Sequence, residues 1–278
     1  MKTLIVNADD FGFAPGVNRG ILEAHRCGTL SSTSMLVNTP SFEEAAVLAR
    51  ETPTLGVGLH FNLVTGRPLT DVATLADPRT GQFHPLAELA RRALVGRVSP
   101  EDVRRECDAQ LAALARAGVA ITHLDSHRHS HALPGVLPAV LASARAARVR
   151  IVRKPLDRPT ADVVASAKML ALRASWRVAS RTLGAEDREL LRGSPTFRGI
   201  ALQGALDIER RLLALVDRLP SGATELMLHP GYDDATLAAQ DPYRSERERE
   251  LAALRSPLVA ERLNRGDIRL VNFAGLGR

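Results

Sequence analysis

A chain of 278 residues is long enough to bury a full core, and its 37 Lys and Arg against 31 Asp and Glu leave a net charge of +6. The basic residues are spread along the chain, Arg145, Arg148, Arg150, Arg153 and Lys154 being the densest run, and two Tyr and one Trp cannot supply the stacking platform of a nucleic-acid surface. Cys27 and Cys107 make neither a disulfide framework nor a zinc knuckle. No apolar window has membrane-spanning length, and the short apolar run at the start stops at Asn7 and reads as a strand, not a signal peptide. Nucleic acid is therefore not an expected partner, no transmembrane segment is expected, and the default compartment is cytoplasmic.

In chain order, Leu4-Ile5-Val6 is a continuous apolar run of the kind covered on both faces in a parallel sheet. It ends in Asn7-Ala8-Asp9-Asp10-Phe11-Gly12, and Val17, Ile21, Leu22 and His25 then recur at helical spacing up to Gly28. Ser32 to Val37 reads as a second strand, Phe42 to Ala49 as a helix, and Val57-Gly58-Leu59 as a third strand ending at His60. From Phe61 to Pro100, Gly and Pro punctuate a long excursion carrying one short helix at Leu86 to Leu94. Glu101 to Ala117 is an amphipathic helix, and Val119 to Leu124 is a fourth strand. That strand runs straight into His123-Leu124-Asp125-Ser126-His127-Arg128-His129-Ser130-His131, where half of the eight histidines fall at alternate positions and an aspartate shares the spacing.

A helix follows from Pro134 to about Arg148, then a fifth strand at Val149 to Val152 that delivers Arg153 and Lys154. Val163 to Arg181 is helical, Leu183 to Thr196 is poorly patterned, and Phe197 to Leu202 is a weak strand because of Gly199. Ala205 to Leu215 is helical, Thr224 to Leu228 is a strand ending in His229-Pro230-Gly231, and Glu246 to Leu254 and Leu258 to Leu263 are helices before a last strand at Ile268 to Phe273. No linker divides the chain. This is one α/β domain over residues 1–278, with an insertion at about 61–100.

Strands alternating with helices indicate a parallel sheet. Asp9, Asp10, His60, Asp125, His127, Arg153 and His229 all fall at or just past the C-terminal ends of predicted strands, which is where a barrel assembles its chemistry. Polar residues after five separate strands fit a closed or nearly closed barrel better than an open sheet with one crevice. No glycine-rich loop follows the first strand, so no nucleotide site is indicated.

Adjacent carboxylates cannot both face one pocket without raising one pKa. A metal resolves the conflict by binding one and leaving the other as a base. One Asp and two His make a sound ligand set for a catalytic divalent ion with a position left for water, and Asp10, His60 and His127 are assigned to it. Asp9 is then the general base, His229 the general acid on the far side of the substrate, and Asp125 the residue that orients an imidazole from behind. Arg153 orients Asp9 or meets an anionic substrate group. Plainer roles compete. Asp9 and Asp10 could cap the next helix, His60 could be a structural histidine, His229 could simply belong to a turn, and Arg153 could be an ordinary ion pair. Of the surplus histidines, His129 and His131 are expected to hydrogen-bond or line the rim, and His25 and His84 to be structural or exposed. Phe11 and Phe61 are either an apolar wall against a sugar ring or ordinary core.

Leu4 to Gly12, Thr33 to Asn38, Gly58-Leu59-His60, Thr122 to His127 with His129 and His131, and His229-Pro230-Gly231 resemble, in order, the motifs of the YdjC-like (ChbG-type) carbohydrate deacetylases. The resemblance runs from the first strand to the last and is vaguest from Asp157 to Thr196. It implies a distorted, incomplete (β/α) barrel of the polysaccharide-deacetylase-like type and removal of acetyl from N-acetylated amino sugars such as chitooligosaccharides, with one divalent metal. By motif it gives the same roles: Asp10, His60 and His127 as ligands, Asp9 as base, His229 as acid. One branch of the family is linked to hopanoid biosynthesis and a glucosaminyl lipid substrate, and nothing in these motifs separates it from the chitobiose-type branch. Homodimers occur in the family, though no feature of the sequence points independently to one. Two imidazoles favour Zn2+ on ligand softness, whereas the resemblance also brings Mg2+. The rival readings are another metal-dependent ester or phosphoester hydrolase, for which only Arg153 and Lys154 hint at a cationic clamp, and a non-catalytic metal- or sugar-binding protein.

Overall fold

The computed structural model describes residues 2–160 and 162–276. Among these, seven strands form one parallel sheet: β1 (Lys2–Phe11), β2 (Ser32–Met35), β3 (Gly56–Phe61), β4 (Ile121–Ser126), β5 (Thr196–Arg198), β6 (Gly222–Leu228) and β7 (Ile268–Leu270). The strand order is β4-β3-β2-β1-β6-β5, and β7 pairs with β1 alone. Strand β1 is long because it serves three neighbours. It pairs with β6 from Lys2 to Ala8, with β7 over Lys2–Leu4, and with β2 from Asn7 onward.

The helices are α1 (Pro15–Arg26), α2 (Phe42–Glu51), α3 (Leu86–Leu94), α4 (Pro100–Arg116), α5 (Leu137–Ala146), α6 (Val163–Ala179), α7 (Ala185–Arg192), α8 (Ile208–Asp217), α9 (Ala235–Ala238), α10 (Ser245–Leu254) and α11 (Pro257–Leu263). Several begin at a readable start signal: proline opens α1, α4 and α11, and the Ser99 hydroxyl accepts from the Asp102 N–H at the start of α4. No helix among the described residues is long and apolar enough to cross a membrane.

Strand alternation sorts the two faces of the sheet. Leu4, Val6 and Ala8 pack outward into the main core beneath the helices, while Ile5, Ile151 and Phe273 form a separate apolar plug inside the curve. Above that plug the interior is polar, and Asn7, Asp9, Ser34, His60, His123, Asp125, Arg153 and Glu225 are all buried there. Side-chain volume is rationed at this level: a Cβ on Gly58 would lie 2.4 Å from the His123 ring.

The barrel is incomplete, as expected, and two strand assignments change. The segment 149–153 is not a strand. It touches β4 through one bridge, Leu124 to Val152, and on its other side the Ser194 hydroxyl donates to the Val152 carbonyl, a side-chain contact where a ladder would close the barrel. The strand expected at Phe197 to Leu202 is limited to Thr196–Arg198, and Ile200–Leu202 is a 3-10 turn that follows Gly199 at φ 131°. The unpatterned stretch after Leu183 holds α7, where the Asp187 carboxylate accepts from the Gly184 N–H. Residues 62–85 lack helix or strand but are tied to α4. Glu106 accepts from the N–H groups of Leu69 and Thr70 and the Thr70 hydroxyl, and Asp102 accepts from the N–H and hydroxyl of Thr74.

Candidate active site

At the C-terminal end of β1 the chain must present two carboxylates in different directions. Alternation points Asp9 into the interior, and Asp10 adopts φ 75°, a left-handed conformation that non-glycine residues rarely hold without a functional or structural reason. Neither aspartate caps a helix: the residue before α1 is Ala14, with no side-chain cap. Register sets His60 of β3 directly across from Asp125 of β4. Beyond β4, Arg128 and His129 take left-handed φ values of 54° and 55°, folding the chain so that His127 turns over the end of β1.

His60 donates Nδ1–H to Asp125 Oδ1 at 2.6 Å, and its Nε2 lies 3.2 Å from Asp10 Oδ1. His127 donates Nδ1–H to the same Asp10 oxygen at 2.8 Å, leaving its buried Nε2 without a partner. Asp10, His60 and His127 thus offer donor atoms within 4.8 Å of one another, and Asp9, His60 and Asp125 form a second such group. The first group suits a divalent cation better. Both oxygens of Asp9 are held by Arg153, and both of Asp125 by His60 and Ser34, whereas His127 still has an unused ring nitrogen. One carboxylate and two imidazoles form a donor set for a borderline divalent ion.

Arg153 is fully buried at the centre of the interior. Its terminal nitrogens donate to both Asp9 oxygens at 2.7 Å, Nη2 lies 2.6 Å from Asp125, and Nε donates to Glu225 at 2.6 Å. Arg247 does the same for the other carboxylate, donating from Nη2 to Asp10 Oδ2 at 2.7 Å and to Asp241 at 2.8 Å. These contacts set the protonation pattern. Burial would raise Asp10, but His127 and Arg247 hold its carboxyl well below the usual range. Asp9 goes the other way, because burial, with Asp125 nearby, outweighs Arg153 and raises it. Burial also opposes charge on His60, yet Asp125 and Asp9 hold its pKa up to about 10. Glu225 and Glu250 are both pushed by burial to about 7.

A cavity of about 450 Å³ opens over these groups, with Asp9, Asp10, His127 and His229 in its wall. Leu86, from the 61–100 excursion, and Lys168 and Gln203, from beyond β4, also line it. His229 follows β6. Its Nε2 is 4.0 Å from Asp9 Oδ2, its Nδ1 is 3.9 Å from Glu250, and its backbone N–H donates to Glu250. Burial holds its ring well below the usual imidazole value, with Asp10 opposing that shift.

All seven expected site residues therefore converge. Asp9, Asp10, His127 and His229 face the cavity, and His60, Asp125 and Arg153 stand behind them. Phe11 and Phe61 do not: both are completely buried in the main core, and the rings near the site are Tyr243, which lines the cavity 5.7 Å from His229, and Phe13, 5.7 Å from His127. His131 is structural, donating Nε2–H to the Arg153 carbonyl at 2.9 Å, while His129 lines the cavity. Arg247, Glu225, Glu250, Lys168 and Gln203 were not anticipated. A glutamate inside the apolar strand Thr224–Leu228 was a readable signal. Arg247 and Glu250, spaced to share one helix face, were masked by the exposed Arg and Glu around them.

A family model described as YdjC-like protein matches residues 3–265. A carbohydrate deacetylase from Geobacillus stearothermophilus is 39% identical over 275 residues, covering 97% of this chain and 96% of the relative. A chitooligosaccharide deacetylase from Serratia marcescens is 34% identical over 261 residues, covering 93% and 92%. Among solved structures, one from Enterococcus faecalis V583, provisionally named a cellobiose-phosphate cleavage protein, superposes with a TM-score of 0.76 at 28% identity, covering 99% of this chain and 98% of that one.

Proposed function

Since the chain belongs to the YdjC-like family, we propose that it is a metal-dependent carbohydrate deacetylase that hydrolyses the N-acetyl group of an amino sugar. The observation that carries this reading is the division of labour between neighbours: Asp10 sits in a metal-suited triad with His60 and His127, while Asp9 lies at the cavity wall, 4.0 Å from His229. A site for binding alone has no use for the second carboxylate or the facing imidazole. The relatives named carbohydrate and chitooligosaccharide deacetylase support the reaction class, and we take chitooligosaccharides as the substrate, read by the lining from the 61–100 insertion and the Lys168–Gln203 side.

Asp10, His60 and His127 hold the ion, with Zn2+ the better match to two imidazoles and Mg2+ the alternative. The ion supplies Lewis acidity toward the acetyl carbonyl and toward water. Asp9 accepts the proton of the attacking water, its carboxylate aimed by the two Arg153 nitrogens and by Asn7, which donates to Oδ1 at 2.9 Å. His229 delivers a proton to the departing amine from the other wall. Asp125 fixes the His60 ring and tautomer from behind.

Acetate release from N-acetylglucosamine, diacetylchitobiose and an N-acetylglucosaminyl lipid, before chelation, after it, and after adding back Zn2+ or Mg2+, tests the proposal. Release from diacetylchitobiose that is lost with the metal and restored by it is the expected result. Release from the lipid alone would move the substrate to the glycolipid class. No release from any, with metal bound, would overturn the deacetylase reading.

A further inference from the structure

A second hollow, of about 720 Å³, lies outside the catalytic cavity and is ringed by Arg158, Arg198, Arg210, Arg211 and Arg218. Its floor is apolar, built from Leu202, Leu215 and Leu219. The 3-10 turn Ile200–Leu202 contributes to this floor, and the next residue, Gln203, faces the catalytic cavity, so one short segment separates the two spaces.

The charges around the hollow are not balanced from within. Asp157 lies 3.6 Å from Arg198 but is also engaged by the N–H groups of Gly199 and Ile200, and Asp207 serves both Arg210 and Arg211. Arg158 and Arg218 have no carboxylate partner among the described residues, and the one remaining acid in the wall, Asp162, is occupied by capping α6. Arg198, partly desolvated and close to Arg158 and Arg173, is held below the ordinary guanidinium value. Guanidinium groups around a low-polarity floor are a recognition surface for an anion that carries an apolar part. Val163 and Val164, which follow Asp162 of the wall in sequence, are 80% and 81% exposed.

We propose that this hollow binds an amphiphilic anion, a phosphate or carboxylate head group bearing an aliphatic tail, with the arginines on the head and the leucine floor on the tail. The site is independent of the deacetylase reading. Calorimetric titration of the whole chain with decyl phosphate below its aggregation concentration, with inorganic phosphate, and with phosphatidylglycerol vesicles tests it and separates a free amphiphile from a lipid head group. Decyl phosphate or the vesicles should bind more tightly than inorganic phosphate. An Arg158→Ala/Arg218→Ala variant should weaken that binding by about tenfold or more, the worth of at least one charge-assisted hydrogen bond. Both side chains are at the surface, so acetate release from diacetylchitobiose should be unchanged in the variant. Binding of none of the three probes, equal binding of inorganic and decyl phosphate, or unchanged binding by the variant would each overturn the proposal.

Discussion

Arg153 grips Asp9 through both terminal nitrogens, at 2.7 Å each, with no exposed surface of its own. The same guanidinium meets Asp125 and Glu225. Removing it strands up to three buried acids, and breaking a buried pair from one side costs far more than the pair itself is worth. Arg153→Met should lose about 3–5 kcal/mol in chemical denaturation, and Arg153→Lys, which keeps the charge but not the fork, should fold and lose turnover. A stability loss below about 1 kcal/mol in Arg153→Met, the range of an exposed pair, would mean the cluster is not held by this residue.

Glu225 and Glu250 titrate near 7 in the folded chain against 4.5 for an ordinary glutamate. Between those values the native state keeps protons that the unfolded state has released, so their contribution to stability is full below about pH 4.5 and falls as pH rises toward 7. At about 1.4 kcal/mol per pH unit the loss is at most about 3–4 kcal/mol for each group. The difference in unfolding free energy between wild type and Glu225→Gln, measured from pH 4.5 to 8, should move in favour of the variant as pH rises. A constant difference would show that Glu225 does not titrate in this window.

His229 is held neutral by burial while Asp9 is raised. The productive pairing, ionised Asp9 facing protonated His229, is therefore the minor protonation form at neutral pH. The pH profile of kcat/KM should still be bell-shaped, and His229→Ala should abolish one limb along with most of the rate. A flat profile across neutral pH would contradict the acid-base assignment.

The sites that could be read from the sequence were those encoded locally. A parallel strand is a short apolar run, and a polar residue that ends it stands at the barrel mouth, so Asp9, Asp10, His60, Asp125 and His229 could be located one motif at a time. Arg247 could not, because its partner Asp10 is 237 residues away and only the docking of α10 brings them together. The same limit explains segment 149–153. Its composition is that of a strand, but it has one bridging partner on one side and a serine hydroxyl on the other. Phe11 and Phe61 were ambiguous because an aromatic after a ligand residue reads alike whether it points to substrate or to core, and in this chain both point to core.

Arg247 sets how Asp10 meets an ion, since it occupies Oδ2 and leaves Oδ1 toward the histidines. Arg247→Met should lower affinity for Zn2+ by about 10–100-fold, the usual effect of losing a group that orients a ligand, as measured by competition with a chromophoric chelator. An unchanged affinity would place the ion away from Asp10.

The assignment of Asp9 as base and Asp10 as ligand is tested most directly by Asp9→Asn, with bound metal and acetate release from diacetylchitobiose measured on the same sample. The expected result is wild-type metal content with turnover abolished. Loss of the metal in Asp9→Asn, or acetate release at a rate comparable to wild type, would contradict it.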